Sequence, residues 1–412
     1  GMGAPLNDVA LAACGNAALF AGMRWRDHPS ARAAVLTGLF AGLALGVKYP
    51  ALVWAGLLGA MMLLGPRDHP RGRGAWERGC CHAALFGAAA ILIGGCWYLR
   101  AYLYTGNPVH PFFRHTFGGA GIDDVLDPIK RPLAVTPGNL LTALGPMTLQ
   151  PDRFDSVSHQ FGPAFLLFLP ALMLWRTPRR ILGLVALGYS FLMICATQRQ
   201  SMRFLLIAVG PMAVGVAWLV AAWRRNPTIP RRLLLGLVVL VLGFEAAIAA
   251  GRARHGLSVV LGRESAEAFL ERCEPTYRVG RWIAKHLPPS ARLVGQEHRG
   301  FYLPRPYTME LAHRRRTGLG TRGESADEVV EHLRRSGFTH LLLCPPVPES
   351  AIEFDSTLDR LLAPWLAARR PLYREAITDP DGVTRLYAIY DLSGSTAVAD
   401  ARTRIGYPAM KD

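Results

Sequence analysis

The sequence has few charged residues for its length. Only 18% of its 412 residues are Asp, Glu, Lys or Arg, whereas 51% are hydrophobic. This low charged share, with the apolar residues gathered in blocks, argues against an ordinary soluble chain. Acidic residues are scarcest in residues 1–250, which hold 10 Asp and Glu against 22 Lys and Arg. Arginines at the ends of membrane helices orient them and contact lipid phosphates, so the basic excess does not indicate a nucleic-acid partner.

The seven cysteines form neither a CxxC motif nor a Cys/His metal-binding spacing, and we predict no metal site from them. Five lie in apolar blocks, where small buried side chains are expected. Cys273 and Cys344 lie in the more polar C-terminal part and could pair in an oxidising compartment, although neither spacing nor parity requires it. A basic signal-peptide start is also lacking, because GMGAPLNDVALAACG runs directly into an apolar block.

Eight apolar segments predict a polytopic α-helical membrane region with about eight spans. Several are shorter than the roughly 20 residues that cross a bilayer. The segments are residues 8–23, 33–47, 50–65, 79–98, 161–175, 181–196, 204–222 and 233–250. We place the membrane region at residues 1–250, with a loop at 99–160, and a small soluble domain at 251–412.

Arginines are concentrated in alternate loops, and this pattern predicts the orientation of the spans. They follow the first, third, fifth and seventh segments: Arg24, Arg26, Arg32, Arg67, Arg71, Arg73, Arg78, Arg176, Arg179, Arg180, Arg224, Arg225, Arg231 and Arg232. All four loops can therefore be cytoplasmic at once. The loop at 99–160 and the C-terminal domain are then predicted on the non-cytoplasmic face of a plasma or inner membrane.

A few charged residues remain on the predicted outer side. Asp8 opens the first segment, and four basic residues share its depth: Lys48, Arg100, Arg199 and Arg203. Cations at one depth, each beside an aromatic residue or a helix end, suit a lipid phosphate. The alternative is that each is an anchor whose charged end extends to the membrane surface.

The stretch from Trp97 to Phe113, WYLRAYLYTGNPVHPFF, predicts the end of a membrane helix and a shaped loop. Its aromatic rings favour the membrane–water interface. Gly106 and two X-Pro pairs then end the helix. The following loop holds carboxylates, among them Asp123 and Asp124, which suit acid–base chemistry or metal binding, although we favour a solvated loop there. A short interfacial helix is predicted at 138–149.

Residues 251–412 alternate helical and strand patterns, which predicts a small α/β domain. We expect helices at 278–288, 325–337 and 351–369, strands at 291–296 and 338–346, and a closing strand pair around Asp381-Gly382. Nothing here has the spacing of a nucleotide-binding loop or a catalytic triad. Glu297 and His298 follow a predicted strand, where sites often lie, but a surface loop is the favoured interpretation.

Three stretches together resemble a known family. GLALGVKYPALVW (42–54), WYLRAYLYTGNPVHPFF (97–113) and QRQSMRFLLIAVGPMA (198–213) are similar to landmarks of the GT-C glycosyltransferases. The similarity is greatest to the branch resembling dolichyl-phosphate-mannose-protein mannosyltransferases and aminoarabinose transferases. The C-terminal α/β part also resembles the outward-facing domain that many of these enzymes carry.

The resemblance implies an inverting transfer of a sugar from a polyprenyl-phosphate donor to a lipid, glycan or protein acceptor on the non-cytoplasmic face. It implies basic residues that hold the phosphate leaving group, here Lys48, Arg100, Arg203 and then Arg199. The aromatic and Pro-rich stretch would form the wall of the site, with Tyr49, Tyr102, Asn107 and His110. No further cofactor is implied, and metal dependence stays open.

One departure affects the expected chemistry. The family carries an acidic pair in the first outer loop after its first span, whereas residues 7–25 resemble a later span that begins with an outer Asp. Upstream spans and the main base are therefore expected to be missing. Asp8 is only a second-line acidic candidate, and we expect little or no transferase activity from this chain alone.

Two other functions remain open from the sequence. A transporter or flippase for a lipid-linked substrate would also place cations at membrane depth, but such proteins usually show internal repeats, and none is visible. A non-catalytic membrane scaffold whose α/β domain binds a partner is the third hypothesis.

Overall fold

A computed structural model describes residues 7–65, 73–110, 112–118, 132–154, 161–197, 200, 202–228, 230–310, 325–348, 354, 356–380 and 382–393. The α-helices, numbered in chain order, are α1 Asp8–Asp27, α2 Ala31–Val47, α3 Pro50–Leu63, α4 Arg73–Thr105, α5 Arg114–Phe117, α6 Pro137–Leu141, α7 Leu144–Leu149, α8 Pro163–Leu174, α9 Arg179–Ala196, α10 Leu206–Arg225, α11 Arg231–Val260, α12 Ala266–Cys273, α13 Pro275–His286, α14 Ala326–Arg335 and α15 Thr357–Ala367. The strands are β1 Leu293–Gly295, β2 Tyr307–Met309, β3 His340–Leu343, β4 Pro346–Val347, β5 Tyr373–Thr378 and β6 Thr384–Asp391, and short 3₁₀ turns lie at Pro151–Arg153, Met202–Leu205 and Gly300–Tyr302.

The described chain divides into two compact units, one up to Arg252 and one from Ala253. Each of the eight apolar segments falls on a helix, α1–α4 and α8–α11. Four stretches are long and apolar enough to cross a membrane: Trp76–Thr105, Arg179–Ala196, Met202–Arg225 and Arg231–Gly251. Three apolar helices, α2, α3 and α8, are shorter. The described part of the protein is thus mostly helical, with four candidate membrane spans and a small sheet.

Close packing of α2 against α4 fixes one wall of the helical unit. A Cβ atom built on Gly38 would lie 2.3 Å from the carbonyl oxygen of Phe86, and one on Gly42 would lie 2.8 Å from that of Ala90. These two glycines lie one turn apart on α2, so their missing side chains let the two backbones approach. This contact aligns the end of α2 with the aromatic part of α4.

The helix α4 ends at Thr105, as the sequence predicts. Gly106 follows with a φ of 73°, in the left-handed region that glycine adopts without a Cβ penalty. Its N–H donates to the Tyr102 carbonyl at 2.7 Å. The single helix predicted at 138–149 is instead two short helices, α6 and α7, and its place at a membrane interface stays a prediction.

The second unit is the small α/β fold that the sequence predicts. Strands β2, β1 and β3 are parallel, with Val294 opposite both Thr308 and Leu341. Strand β6 is antiparallel to β3, and β5 forms a hairpin with β6. One apolar cluster joins the sheet to α14 and α15, and another joins it to α13, so both faces are covered.

Local signals in the second unit agree with the predicted elements. Ser325 caps α14 in a capping box with Glu328, and Gly337 ends that helix region with a φ of 83°. The hairpin turn contains Gly382, with a φ of 85°. Cys273 and Cys344 are both free thiols.

Candidate functional site

Asp8 and Lys48, which are 40 residues apart in sequence, form an ion pair at one end of α1. The Lys48 Nζ donates to Asp8 Oδ1 at 2.6 Å. Asp8 is only 2% exposed, and its Oδ2 is enclosed without a hydrogen-bond partner in the part of the chain that the structure describes. The neighbouring Asn7 side chain donates to the Val47 carbonyl at 3.2 Å, so the start of α1 is attached to the end of α2. The carboxylate is therefore buried with only one of its two oxygens hydrogen-bonded.

Arg203 is brought to the same place through Phe204. The Lys48 Nζ lies 3.7 Å from the centroid of the Phe204 ring, and the Arg203 Cζ lies 5.0 Å from it. Both cations thus contact one aromatic ring. The Nε of Arg203 is enclosed and has no hydrogen-bond partner among the described residues. Sequence reasoning grouped Lys48 with Arg203 but did not identify Phe204, which is an ordinary apolar residue in sequence.

A cavity of about 230 Å³ opens beside this cluster. It is lined by Leu45, Gly46, Val47, Lys48, Tyr49, Trp97 and Tyr98. Its volume is below the roughly 300–1,000 Å³ of typical small-molecule pockets. A cavity of this size, with a lysine and two tyrosines in its wall, suits a small polar group rather than a whole lipid.

The turn after α4 is held by Asn107. Its side-chain Nδ2 donates to the Phe112 carbonyl at 2.8 Å, and its Oδ1 accepts from the Val109 N–H at 2.9 Å. Asn107 is fully buried, so it shapes the turn from within. Tyr49 reaches the same turn and donates its hydroxyl to the His110 carbonyl at 2.7 Å. The predicted wall residues Tyr49, Asn107 and His110 therefore meet in one structure.

Arg100 and Tyr102 occupy a different environment. Both are exposed on α4, and the Arg100 Cζ lies 6.0 Å from the Trp97 ring and 5.7 Å from the Tyr104 ring of the same helix. Among the described contacts, none joins Arg100 to Asp8, Lys48 or Arg203. Arg199, Asp123 and Asp124 lie outside the described residues, so their predicted roles stay predictions.

Gln200 is a buried polar residue that sequence reasoning did not single out. Its side-chain amide makes a two-point contact with Leu133, accepting from the backbone N–H at 2.7 Å and donating to the carbonyl at 2.8 Å. It also donates to the Ala196 carbonyl at 3.1 Å. This glutamine attaches the chain entering α6 to the turn that leads to Arg203. Its position in QRQS was the only signal, and a single Gln in a turn is too common to be informative.

In the α/β unit, the prediction of a surface loop at Glu297 is wrong. Glu297 is fully buried at the carboxyl end of β1. Its Oε2 accepts from the Tyr387 hydroxyl at 2.6 Å, and its Oε1 accepts from the Arg299 backbone N–H at 2.9 Å. The Nε of Arg299 lies 3.5 Å from the same Oε1, and His298 Nδ1 lies 3.2 Å from it. The carboxylate joins β1 to β6 across the intervening β3.

Burial and these contacts shift the pKa values of Glu297 and His298. Burial alone would raise the pKa of Glu297, but the Arg299 guanidinium, the Tyr387 hydroxyl and the Arg299 N–H together hold it below its usual value. Burial lowers the pKa of His298 and outweighs the opposing effect of the Glu297 charge. Glu297 therefore stays ionised at neutral pH, with both oxygens bonded.

Neither region offers a metal centre within the part of the chain that the structure describes. No group of three or more His, Cys, Asp or Glu side chains there is arranged to hold a metal ion. The cluster at the start of α1 instead brings one buried carboxylate and two cations together around Phe204, which suits an anion.

The fold and this cluster together describe a helical protein with candidate membrane spans, a charged site at one helix end and an α/β unit. Comparison with protein-family models finds no match to the chain, and comparison with curated proteins finds no relative. The function must therefore be argued from the site.

Proposed function

We propose that this chain is a membrane glycosyltransferase of the GT-C type, or part of one. It would transfer a sugar from a polyprenyl-phosphate donor to a lipid, glycan or protein acceptor on the non-cytoplasmic face. The observation that carries the proposal is the convergence of Lys48 and Arg203 on Phe204 beside the buried Asp8. The resemblance of the three sequence stretches to that family supplies the reaction.

The charges of the cluster favour an anionic ligand. Asp8 and Lys48 neutralise each other as an ion pair, which leaves the positive charge of Arg203. No described residue bonds its enclosed Nε, and a buried polar group without a partner is costly. A phosphate oxygen would accept from such a donor in a charge-assisted hydrogen bond.

The role of these residues in transfer follows from where charge develops. When the sugar leaves, negative charge grows on the lipid phosphate, and fixed cations stabilise it without reorganising. Arg203 would hold that phosphate, and Lys48 would bind it while orienting Asp8. Tyr49 and His110 would form the wall through which the donor head enters the adjoining cavity of about 230 Å³.

The proposal includes a topology. All eight apolar helices would cross the membrane, with the arginine-rich loops cytoplasmic and the α/β unit on the other side. The short helix α3 has 14 residues, or roughly 21 Å at 1.5 Å per residue, against a hydrocarbon core of about 30 Å. It would lie where other helices and a locally thinner bilayer shield its ends.

The decisive test is donor-lipid binding by the full chain in nanodiscs. We expect a polyprenyl phosphate to bind, and the corresponding uncharged polyprenol to bind at least tenfold more weakly. Arg203→Met should weaken phosphate binding by at least tenfold, because a hydrogen bond to a charged group contributes about 1.5–3 kcal/mol. Arg225→Met, an exposed arginine at the end of α10, is the matched control. Equal binding of phosphate and alcohol, or equal effects of the two variants, would contradict the proposal.

A further inference from the structure

A second cavity of about 630 Å³ lies in the helical unit, along the opposite half of α1. Its walls come from one face of α1, including Asn16, Phe20 and Arg24, and from α9 and α10, including Leu184 and Val214. It ends at Asp27, which bonds the guanidinium of Arg180 across the groove. The walls between Asn16 and this pair are largely apolar.

The dimensions of the groove select its occupant. Asn16 and Asp27 are 11 residues apart on one helix, which is roughly 16 Å of rise. This length matches one leaflet, since the whole hydrocarbon core is about 30 Å thick. A groove of this length with largely apolar walls suits an extended hydrocarbon chain.

The charges at its end select the headgroup. Arg180 is paired with Asp27, whereas the Arg24 guanidinium is exposed and makes no ion pair with any residue that the structure describes. In the proposed topology, the end of the groove thus carries one uncompensated cation at headgroup depth. An anionic headgroup would neutralise it, whereas a zwitterionic headgroup brings a cation of its own.

We propose that this groove binds one anionic phospholipid of the leaflet at the Arg24 end, with an acyl chain along Phe20, Leu184 and Val214 and the phosphate at Arg24. The site does not depend on the proposed sugar transfer, but it rests on the proposed topology, in which α1 crosses the membrane. Asp8 and Asp27 are roughly 29 Å apart along α1, so the two sites lie at opposite ends of the helix.

The test is native mass spectrometry of the delipidated full chain, titrated with palmitoyl-oleoyl phosphatidylglycerol or with the matching phosphatidylcholine. We expect one tightly held phosphatidylglycerol and about fivefold weaker retention of phosphatidylcholine, the effect of one basic residue near a lipid phosphate. Arg24→Gln should remove that preference. Arg231→Gln, which changes an exposed arginine at the start of α11, should not.

A second variant tests the groove itself. Val214→Trp places a large ring in the cavity and should lower retention of both lipids at least fivefold. Val239→Trp, at an exposed apolar position on α11, is the matched control and should change neither. Equal retention by the two tryptophan variants would overturn the proposal, as would equal effects of Arg24→Gln and Arg231→Gln. A dimer that is lost only in Val214→Trp would overturn it in favour of a second copy of the chain.

Discussion

Each of the two units contains a buried carboxylate beside an arginine, but only one of the two carboxylates is fully hydrogen-bonded. In the α/β unit, both oxygens of Glu297 are bonded, by the Arg299 N–H and the Tyr387 hydroxyl. In the helical unit, Asp8 uses one oxygen for Lys48, while its Oδ2 and the Nε of nearby Arg203 are enclosed without partners. The Nη2 of Arg299 is also enclosed without a partner among the described residues, so the difference lies in the carboxylates: both oxygens of Glu297 are bonded, whereas only one oxygen of Asp8 is.

The difference separates a structural role from a binding role. A buried charge is tolerated when its hydrogen-bonding capacity is met from within the protein. Glu297 meets this condition and connects strands, so its position at a strand end does not by itself indicate a site. Asp8 and Arg203 do not meet it, and unmet capacity beside a cavity is what a ligand can satisfy.

The largest expected effect is from Glu297→Gln, which should destabilise the α/β unit by about 3 kcal/mol. The substitution keeps the shape but leaves Arg299 without its buried counter-charge, and breaking one side of such a pair is strongly destabilising. Hydrogen exchange of peptides from β1 and β6 in the full chain measures the change. Glu271→Gln is the control, because Glu271 pairs with Arg281 on the surface at 2.6 Å and should cost less than about 1 kcal/mol. Similar losses in both variants would show that Glu297 is not the strand connector.

A smaller effect is expected from Lys48→Met, about 1–3 kcal/mol, because it removes the one described ion-pair partner of the buried Asp8. Asp8→Asn should lower the free energy of unfolding less than Lys48→Met does, because the Lys48 side chain that loses this carboxylate is partly exposed. The double variant with Asp8→Asn and Lys48→Met should recover much of the stability that Lys48→Met loses, because the buried charge of Asp8 is then removed as well. Thermal unfolding of the four proteins in one detergent gives the coupling free energy. Strictly additive losses would show that the pair is not coupled, and the comparison with Glu297 would lose its basis.

The elements of both units follow from local patterns in the sequence. Apolar blocks predict the eight helices because burial of apolar residues and helix formation act together over 12 or more residues. The hairpin of β5 and β6 is predicted by its turn residues and by alternation. Lys48 and Arg203 could be grouped because alternating basic loops assign both to one membrane face.

The contacts within the site could not be predicted, since they depend on tertiary packing. Nothing in sequence distinguishes Phe204, the ring between two cations, from its apolar neighbours. The Asp8–Lys48 pair spans 40 residues and depends on how α1 packs against α2. The burial of Glu297 depends on Tyr387, which lies 90 residues away on β6. A strand-end carboxylate has the same local sequence whether it is buried or exposed.

The stability of the α/β unit should depend weakly on pH. The folded-state pKa values of His298 and His340 are lowered by burial, so protons bind the unfolded state first and stability falls as pH drops below about 6.5. The pKa of Glu297 is also lowered, so its contribution is present above about pH 4.3 and is lost as pH falls through the folded value. Hydrogen exchange of β1 between pH 8 and 2 should show both steps. His298→Gln should reduce the first step and Glu297→Gln the second, whereas a rise in stability between pH 7 and 5 would contradict the assignment.

The smallest expected effect is from Arg100→Gln, which should change donor-lipid binding less than twofold. Arg100 and Arg203 were equivalent in sequence, as cations at one predicted depth. In the structure Arg100 is exposed beside Trp97 and Tyr104 of its own helix, where an arginine can extend to water or to bulk lipid phosphate at little cost. Arg203 has an enclosed Nε that lacks a partner. Titrating polyprenyl phosphate into nanodiscs of Arg100→Gln and Arg203→Met compares them directly. A tenfold loss in Arg100→Gln would mean that incomplete hydrogen bonding is not what marks the binding residues here, and that a shared membrane depth is enough.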